Sequence, residues 1–130
     1  NNFSIFFEGG LGAGKTFFIR TLLQKFGIIQ NINSPTFTYV QEYFQRETSN
    51  HAEKKFAHFD LYRMDSNEDF LRKGFGEIAE DASICKLIEW PKKISPEILE
   101  EFSGTHFLVQ IMHGKRENER NIEIRKLKFS

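Results

Sequence analysis

The sequence predicts an α/β fold, a mixed sheet with helices on both faces and antiparallel strands toward the C-terminus. Three observations predict it. Apolar, β-prone segments alternate with helix-patterned ones, a glycine-rich stretch separates the first strand from the first helix, and the chain closes on two successive strands. With 130 residues there is room for one domain, read as residues 1–130.

Each element has a local reason. Phe3 to Glu8 is nearly continuous apolar sequence, as a strand buried on both faces requires. From Thr16 onward, Ile19, Leu22, Leu23 and Phe26 recur at helical spacing, and Gly27 is placed to stop that helix. Ser34-Pro35-Thr36 reads as a turn, Phe37 to Gln45 as a strand, and Glu47 to Lys55 as a polar loop. Phe56 to Leu61 is a short strand. Asp65-Ser66-Asn67-Glu68 is a helix start of the capping-box kind, with helical pieces to Ala82 broken near Gly74-Phe75-Gly76. Ile84 to Glu89 is an apolar strand stopped by Trp90-Pro91, and Ser95-Pro96 opens a short helix. Phe107 to Met112 and Asn121 to Phe129 are the closing strands. In the last one, Ile122 and Ile124 are out of phase with Leu127 and Phe129, an offset that a bulge near Arg125-Lys126 would reconcile. The 15 phenylalanines sit singly in these elements, as core-filling residues do.

Composition narrows the function. Eighteen basic and 18 acidic side chains give zero net charge, so strong binding of nucleic acid through a general basic field is not expected. No apolar run is long enough to span a bilayer and no secretory leader is visible. The single cysteine, Cys85, excludes an internal disulfide. A reduced, cytoplasmic protein is the expectation.

Gly9-Gly10-Leu11-Gly12-Ala13-Gly14-Lys15-Thr16 fits G-x-x-x-x-G-K-[ST] at every fixed position, between a strand and a helix. Such a loop turns successive backbone N–H groups onto phosphate oxygens, helped by the helix dipole. Lys15 would lie along the β- and γ-phosphates and the Thr16 hydroxyl would reach magnesium. A structural glycine turn needs neither residue. The fold expected is therefore P-loop NTPase-like. Magnesium takes one or two protein oxygens besides the phosphates, and two strands end in an acid, Asp60 and Glu89. Spacing alone leaves open which of them touches the metal. No Asn-Lys-x-Asp occurs, which favours ATP over a guanine nucleotide. His58 reads as a structural strand residue with a pocket role as the alternative, Cys85 as an inert core residue, and Lys92-Lys93 as a solvated face.

Four separated motifs converge on one family: the phosphate loop, Ser34-Pro35-Thr36-Phe37-Thr38, His58-Phe59-Asp60-Leu61-Tyr62-Arg63 and Ile88-Glu89-Trp90-Pro91. In order and spacing, over about residues 4 to 92, the chain resembles the TsaE (YjeE) ATPases of threonylcarbamoyladenosine synthesis in tRNA. The resemblance implies ATP contacts at Gly9, Leu11, Gly12, Ala13, Gly14, Lys15, Thr16 and Phe17. It implies magnesium on Thr16 and Glu89, and Lys15, Asp60 and Glu89 as the catalytic set, Asp60 acting through water. Thr36 and Thr38 would lie in a nucleotide-sensing segment, Trp90 would border the site, and Arg116 or Lys115 would reach the nucleotide, with Arg116 carried as the candidate. It further implies an ATPase that serves a TsaB–TsaD complex and is not itself the transferase. The short chain, with little material to enclose ATP, adds the expectation of weak turnover alone, and neutrality that of no strong tRNA binding alone. The family usually has Asp where Gly10 stands and a further segment before the first strand. The chain opens almost on that strand and without Met, as an incomplete N-terminus would. Two other readings compete: a small-metabolite P-loop kinase, against which no arginine-rich lid segment is visible, and a non-catalytic ATP-gated adaptor.

Overall fold

A six-stranded sheet in the order β2-β3-β4-β1-β5-β6 organises the chain in a computed structural model that describes residues 2–33, 35, 38–45 and 53–128. Its strands are β1 (Phe3–Glu8), β2 (Val40–Gln45), β3 (Lys54–Asp60), β4 (Ile84–Glu89), β5 (Thr105–His113) and β6 (Arg120–Leu127). The helices are α1 (Lys15–Lys25), α2 (Asn67–Arg72), α3 (Phe75–Glu80) and α4 (Pro96–Glu100), with a 3₁₀ turn at Pro91–Lys93.

The four central strands, β3, β4, β1 and β5, are parallel. Their sequences are apolar on both faces because both faces are covered. On one side α1 packs Ile19 and Leu23 with Phe7, Phe56, Leu87 and Val109. On the other, the α2–α3 and α4 segments bring Phe70, Phe75 and Phe102 against Phe6, Phe59 and Ile88. The phenylalanines there meet edge to face, as at Phe59–Phe75 and Phe6–Phe102. Among the described residues seven phenylalanines, over both faces, are buried, whereas Phe17 and Phe44 are exposed. Among the described residues no helix is long and apolar enough to cross a membrane.

Local signals explain the helix ends. Ser66 caps α2 by accepting the Asp69 N–H at 3.1 Å, and Gly27, at φ 85°, ends α1 just past its Phe26 cap.

Four expectations change. The antiparallel pairing predicted for the C-terminus occurs at both edges, since β2 also runs antiparallel to β3. The β2 strand starts at Val40 rather than at Phe37, after Tyr39 adopts a left-handed φ of 66° that breaks the extended run; Phe37 itself lies outside the described residues. Lys54 and Lys55, assigned to a loop by their polarity, begin β3: Lys55 pairs with Glu42 across the strands, and Lys54 lies over the Phe26 and Phe56 rings. The bulge near Arg125-Lys126 does not form. The β5–β6 register is unbroken from His106↔Leu127 to His113↔Arg120. The apolar residues of β6 divide between faces instead: Leu127 leans on the α2–α4 core, while Ile122 and Ile124 are exposed on the α1 side.

Candidate nucleotide site

The carboxyl ends of β1, β3 and β4 and the N-terminus of α1 meet at one end of the sheet, where an open cleft of about 460 Å³ is lined by the phosphate loop, Asp60, Arg63, Glu89 and Trp90. Parallel sheets place ligand sites here because successive strands and helices diverge at this end.

The loop needs glycine for two reasons. A Cβ at Gly9 would lie 2.6 Å from the Ile111 carbonyl, so only glycine lets β1 pass β5 at this point. Gly14, at φ 106°, is the left-handed N-cap from which α1 departs. Leu11 and Phe17 are both 69% exposed at the cleft rim, whereas Ala13 is buried beneath the loop.

Lys15 is only 5% exposed. Its Nζ donates to the Gly9 carbonyl and, at 3.1 Å, to the Gly10 carbonyl, and lies 3.8 Å from the centre of the Trp90 ring. Burial lowers its pKa, and the Glu89 and Asp60 carboxylates partly offset that effect. Trp90 holds a left-handed φ of 59° before Pro91 and packs on Tyr62 at 4.9 Å between centroids. A tryptophan in that backbone region is strained, and here the strain coincides with a ring placed over the loop lysine.

Asp60 and Glu89 are register partners at the ends of β3 and β4, so they stand side by side. Asp60 Oδ1 accepts the Tyr62 N–H at 3.1 Å. Glu89 is buried, and its Oε1 and Oε2 lie 3.1 and 3.2 Å from the Thr16 hydroxyl, which donates to them. The two side chains expected to share magnesium are thus neighbours. Among the described residues no group of three or more His, Cys, Asp or Glu side chains could cage a metal. The donor set instead suits magnesium brought in on nucleotide phosphates, which contribute most of its ligands.

Two further residues join the site, one that the sequence leaves between a structural and a pocket role and one that it does not single out. His58, fully buried, lies with Nε2 2.7 Å from Glu89 Oε2. Period-two alternation puts His58 on the face of Asp60, and that is the signal that could have found it. Arg120, at the start of β6, donates Nε to the Ala13 carbonyl at 3.1 Å, which brings a basic side chain of the C-terminal hairpin to the loop. Arg116, four residues earlier, is exposed, as is Lys115. Thr36 lies outside the described residues; Thr38 is exposed, its hydroxyl donating to the Val40 carbonyl at 3.3 Å.

Relatives agree with this architecture. Residues 1–122 match the family model described as threonylcarbamoyl adenosine biosynthesis protein TsaE. The tRNA threonylcarbamoyladenosine biosynthesis protein TsaE of Haemophilus influenzae is 43% identical over 89 residues, covering 68% of this chain and 52% of that one. The protein of the same name from Treponema pallidum is 37% identical over 110 residues, covering 85% and 75%. The crystal structure of Bacillus subtilis YdiB superposes with a TM-score of 0.57 at 24% identity, over 93% of this chain and 66% of that one, a likeness of fold. Against the Haemophilus relative the matched stretch spans about half the longer protein. With the four motifs in order, the loop-strand-helix geometry in place and the family model covering nearly the whole length, the chain belongs to the TsaE family.

Proposed function

We propose that this chain binds ATP with magnesium and hydrolyses it slowly, as the ATPase subunit that supports a TsaB–TsaD-like complex in threonylcarbamoylation of tRNA adenosine. The observation that carries the reading is the contact between Thr16 Oγ1 and Glu89 at the mouth of the phosphate loop, beside Lys15. Thr16 and Glu89 would hold magnesium, which would supply positive charge against the charge that develops on the phosphates during transfer.

The chain's own residues divide the remaining work. Backbone N–H groups from Gly12 to Thr16 and the N-terminus of α1 bind the phosphates. Lys15 exchanges its carbonyl contacts and the Trp90 face for phosphate oxygens, an exchange favoured because a phosphate offers full negative charge where Gly9 and Gly10 offer dipoles. Asp60, beside Glu89 and open to the cleft, orients a water on the phosphate side. Among the described residues the cleft is open to water, and electrostatic catalysis of phosphoryl transfer works best when water is excluded. Slow turnover alone and acceleration by a protein partner that closes the cleft follow from that openness. Zero net charge fits a protein partner better than unaided binding of tRNA.

Phosphate release tests the proposal when measured for the chain alone, with a TsaB–TsaD complex, and with tRNA only. Slow release alone that rises with the complex and not with tRNA is the expected pattern. Fast release alone, stimulation by tRNA without the complex, or transfer of phosphate to a small acceptor overturns it.

A further inference from the structure

We propose that His58 is a positioning residue whose buried ring fixes the Glu89 carboxylate for magnesium, an inference that rests on Glu89 being the metal ligand. A glutamate at a strand end has several rotatable bonds, and holding it in one rotamer costs conformational entropy. Two contacts hold it here. Thr16 donates to the carboxylate from the loop side, and His58 Nε2 lies 2.7 Å from Oε2 on the strand side. Thr16 is also an expected magnesium ligand, so the contact independent of the metal is that of His58.

The ring is placed to do only this. His58 is 0% exposed within β3, flanked by Ala57 and Phe59, which are also fully buried, so it cannot turn to solvent. A carboxylate only accepts hydrogen bonds, which makes Nε2 the donor. Among the described residues the buried Nδ1 has no partner, so a hydrogen there would find no acceptor. The arrangement selects the tautomer with hydrogen on Nε2, aimed at Glu89. An apolar side chain would fill this interior position without an orphaned nitrogen. The histidine is explained by what Nε2 does. Register supplies the geometry: Asp60 pairs with Glu89, and His58 lies two residues back along the same strand face. Removing such a supporting contact to a metal ligand lowers metal affinity by about 10- to 100-fold.

The test is ATP affinity by calorimetry, with magnesium and with EDTA, in wild type, His58→Leu, His58→Gln, His58→Asn and Glu89→Gln, each checked by a melting curve. Glutamine carries its amide nitrogen near the place of Nε2, whereas asparagine carries it near Nδ1. The expected result is that His58→Leu cuts the tightening produced by magnesium by about tenfold while affinity in EDTA is unchanged, and that His58→Gln restores most of it. Should His58→Leu not fold, the proposal requires His58→Gln to retain more of the magnesium effect than His58→Asn. An undiminished magnesium effect in folded His58→Leu, or His58→Gln no better than His58→Asn, overturns the role of His58 alone, provided Glu89→Gln does lose the effect. If wild type shows no magnesium effect, or Glu89→Gln keeps it, the metal-site assignment falls and the role of His58 falls with it.

Discussion

Lys15 and Lys86 are both buried, 5% and 0% exposed, and both donate to backbone carbonyls, yet they lie at opposite ends of the sheet and serve different ends. Lys15, at the carboxyl end, faces the cleft with Glu89 and Asp60 close enough to support its charge. Lys86, in β4 toward the other end, donates to the Ile84 carbonyl at 2.7 Å, to the Asp81 carbonyl at 3.0 Å and to the Ser103 hydroxyl. It ties the start of β4 to the turn before it and to the segment leading into β5. Burial pushes its pKa down to about 8, with the nearby Asp81 and Cys85 opposing that only partly. Cleft access, and not burial itself, separates the lysine proposed to meet phosphate from the one that fastens the fold.

That contrast predicts a crossed pair of mutational effects. Lys15→Ala should weaken ATP by about 100-fold, the worth of charge-assisted bonds to phosphate, with little change in melting temperature because α1 is anchored by Ile19 and Leu23. Lys86→Ala should do the reverse. It leaves a cavity and takes a donor from the Ile84 and Asp81 carbonyls and the Ser103 hydroxyl, a loss of about 3 kcal/mol, and should not change ATP affinity by more than about twofold. Calorimetry and thermal melts on both variants check the crossing. A Lys15→Ala protein that is folded and still binds ATP fully would remove the distinction.

How much of this could be read beforehand depends on whether the cause was local. The ends of β1 and β4 were legible because continuous apolar runs are stopped by glycine at Gly9 and by Trp90-Pro91. The phosphate loop was legible because its glycines, lysine and threonine act within eight consecutive residues. Sequence leaves His58 between a structural and a pocket role because a lone histidine in an apolar strand says nothing about its neighbour; what brings it to Glu89 is the β3–β4 register. Arg120 was missed for the same reason, since the hairpin that returns it to Ala13 is set by the β5–β6 pairing. The expected bulge failed because it assumed that every apolar residue of β6 must face one core. An edge strand reaching past α1 leaves Ile122 and Ile124 exposed and buries only part of Leu127 on the opposite face.

Within the lysine-containing end of the cleft, a smaller difference separates the two carboxylates. Glu89 touches Thr16 and His58, whereas Asp60 caps the Tyr62 N–H. Glu89→Gln should therefore weaken the magnesium-dependent part of ATP binding by more than the about tenfold expected of His58→Leu, and Asp60→Asn should change it less. Magnesium titration at fixed ATP measures both, and a larger shift for Asp60→Asn would exchange their roles.

The smallest expected effect is a pH dependence that isolates Lys86. Its pKa is near 8 in the folded chain against an ordinary 10.5 once unfolded, so between those values the unfolded chain binds more protons. Stability from this group must then rise with pH across that window, because folding no longer buries a charge once the amine is neutral. Below about pH 8 both states carry the proton and the cost of burying it is constant. Lys15, whose pKa is also lowered, acts in the same direction, so the wild-type trend alone does not identify the residue. Lys86→Met keeps a chain of similar length and cannot titrate. The difference in melting temperature between wild type and Lys86→Met should shift in favour of wild type by about 5 °C from pH 7.5 to pH 10. A parallel pair of curves would mean that the ammonium at Lys86 is carried in the folded state without penalty, its three acceptors fully compensating the loss of water.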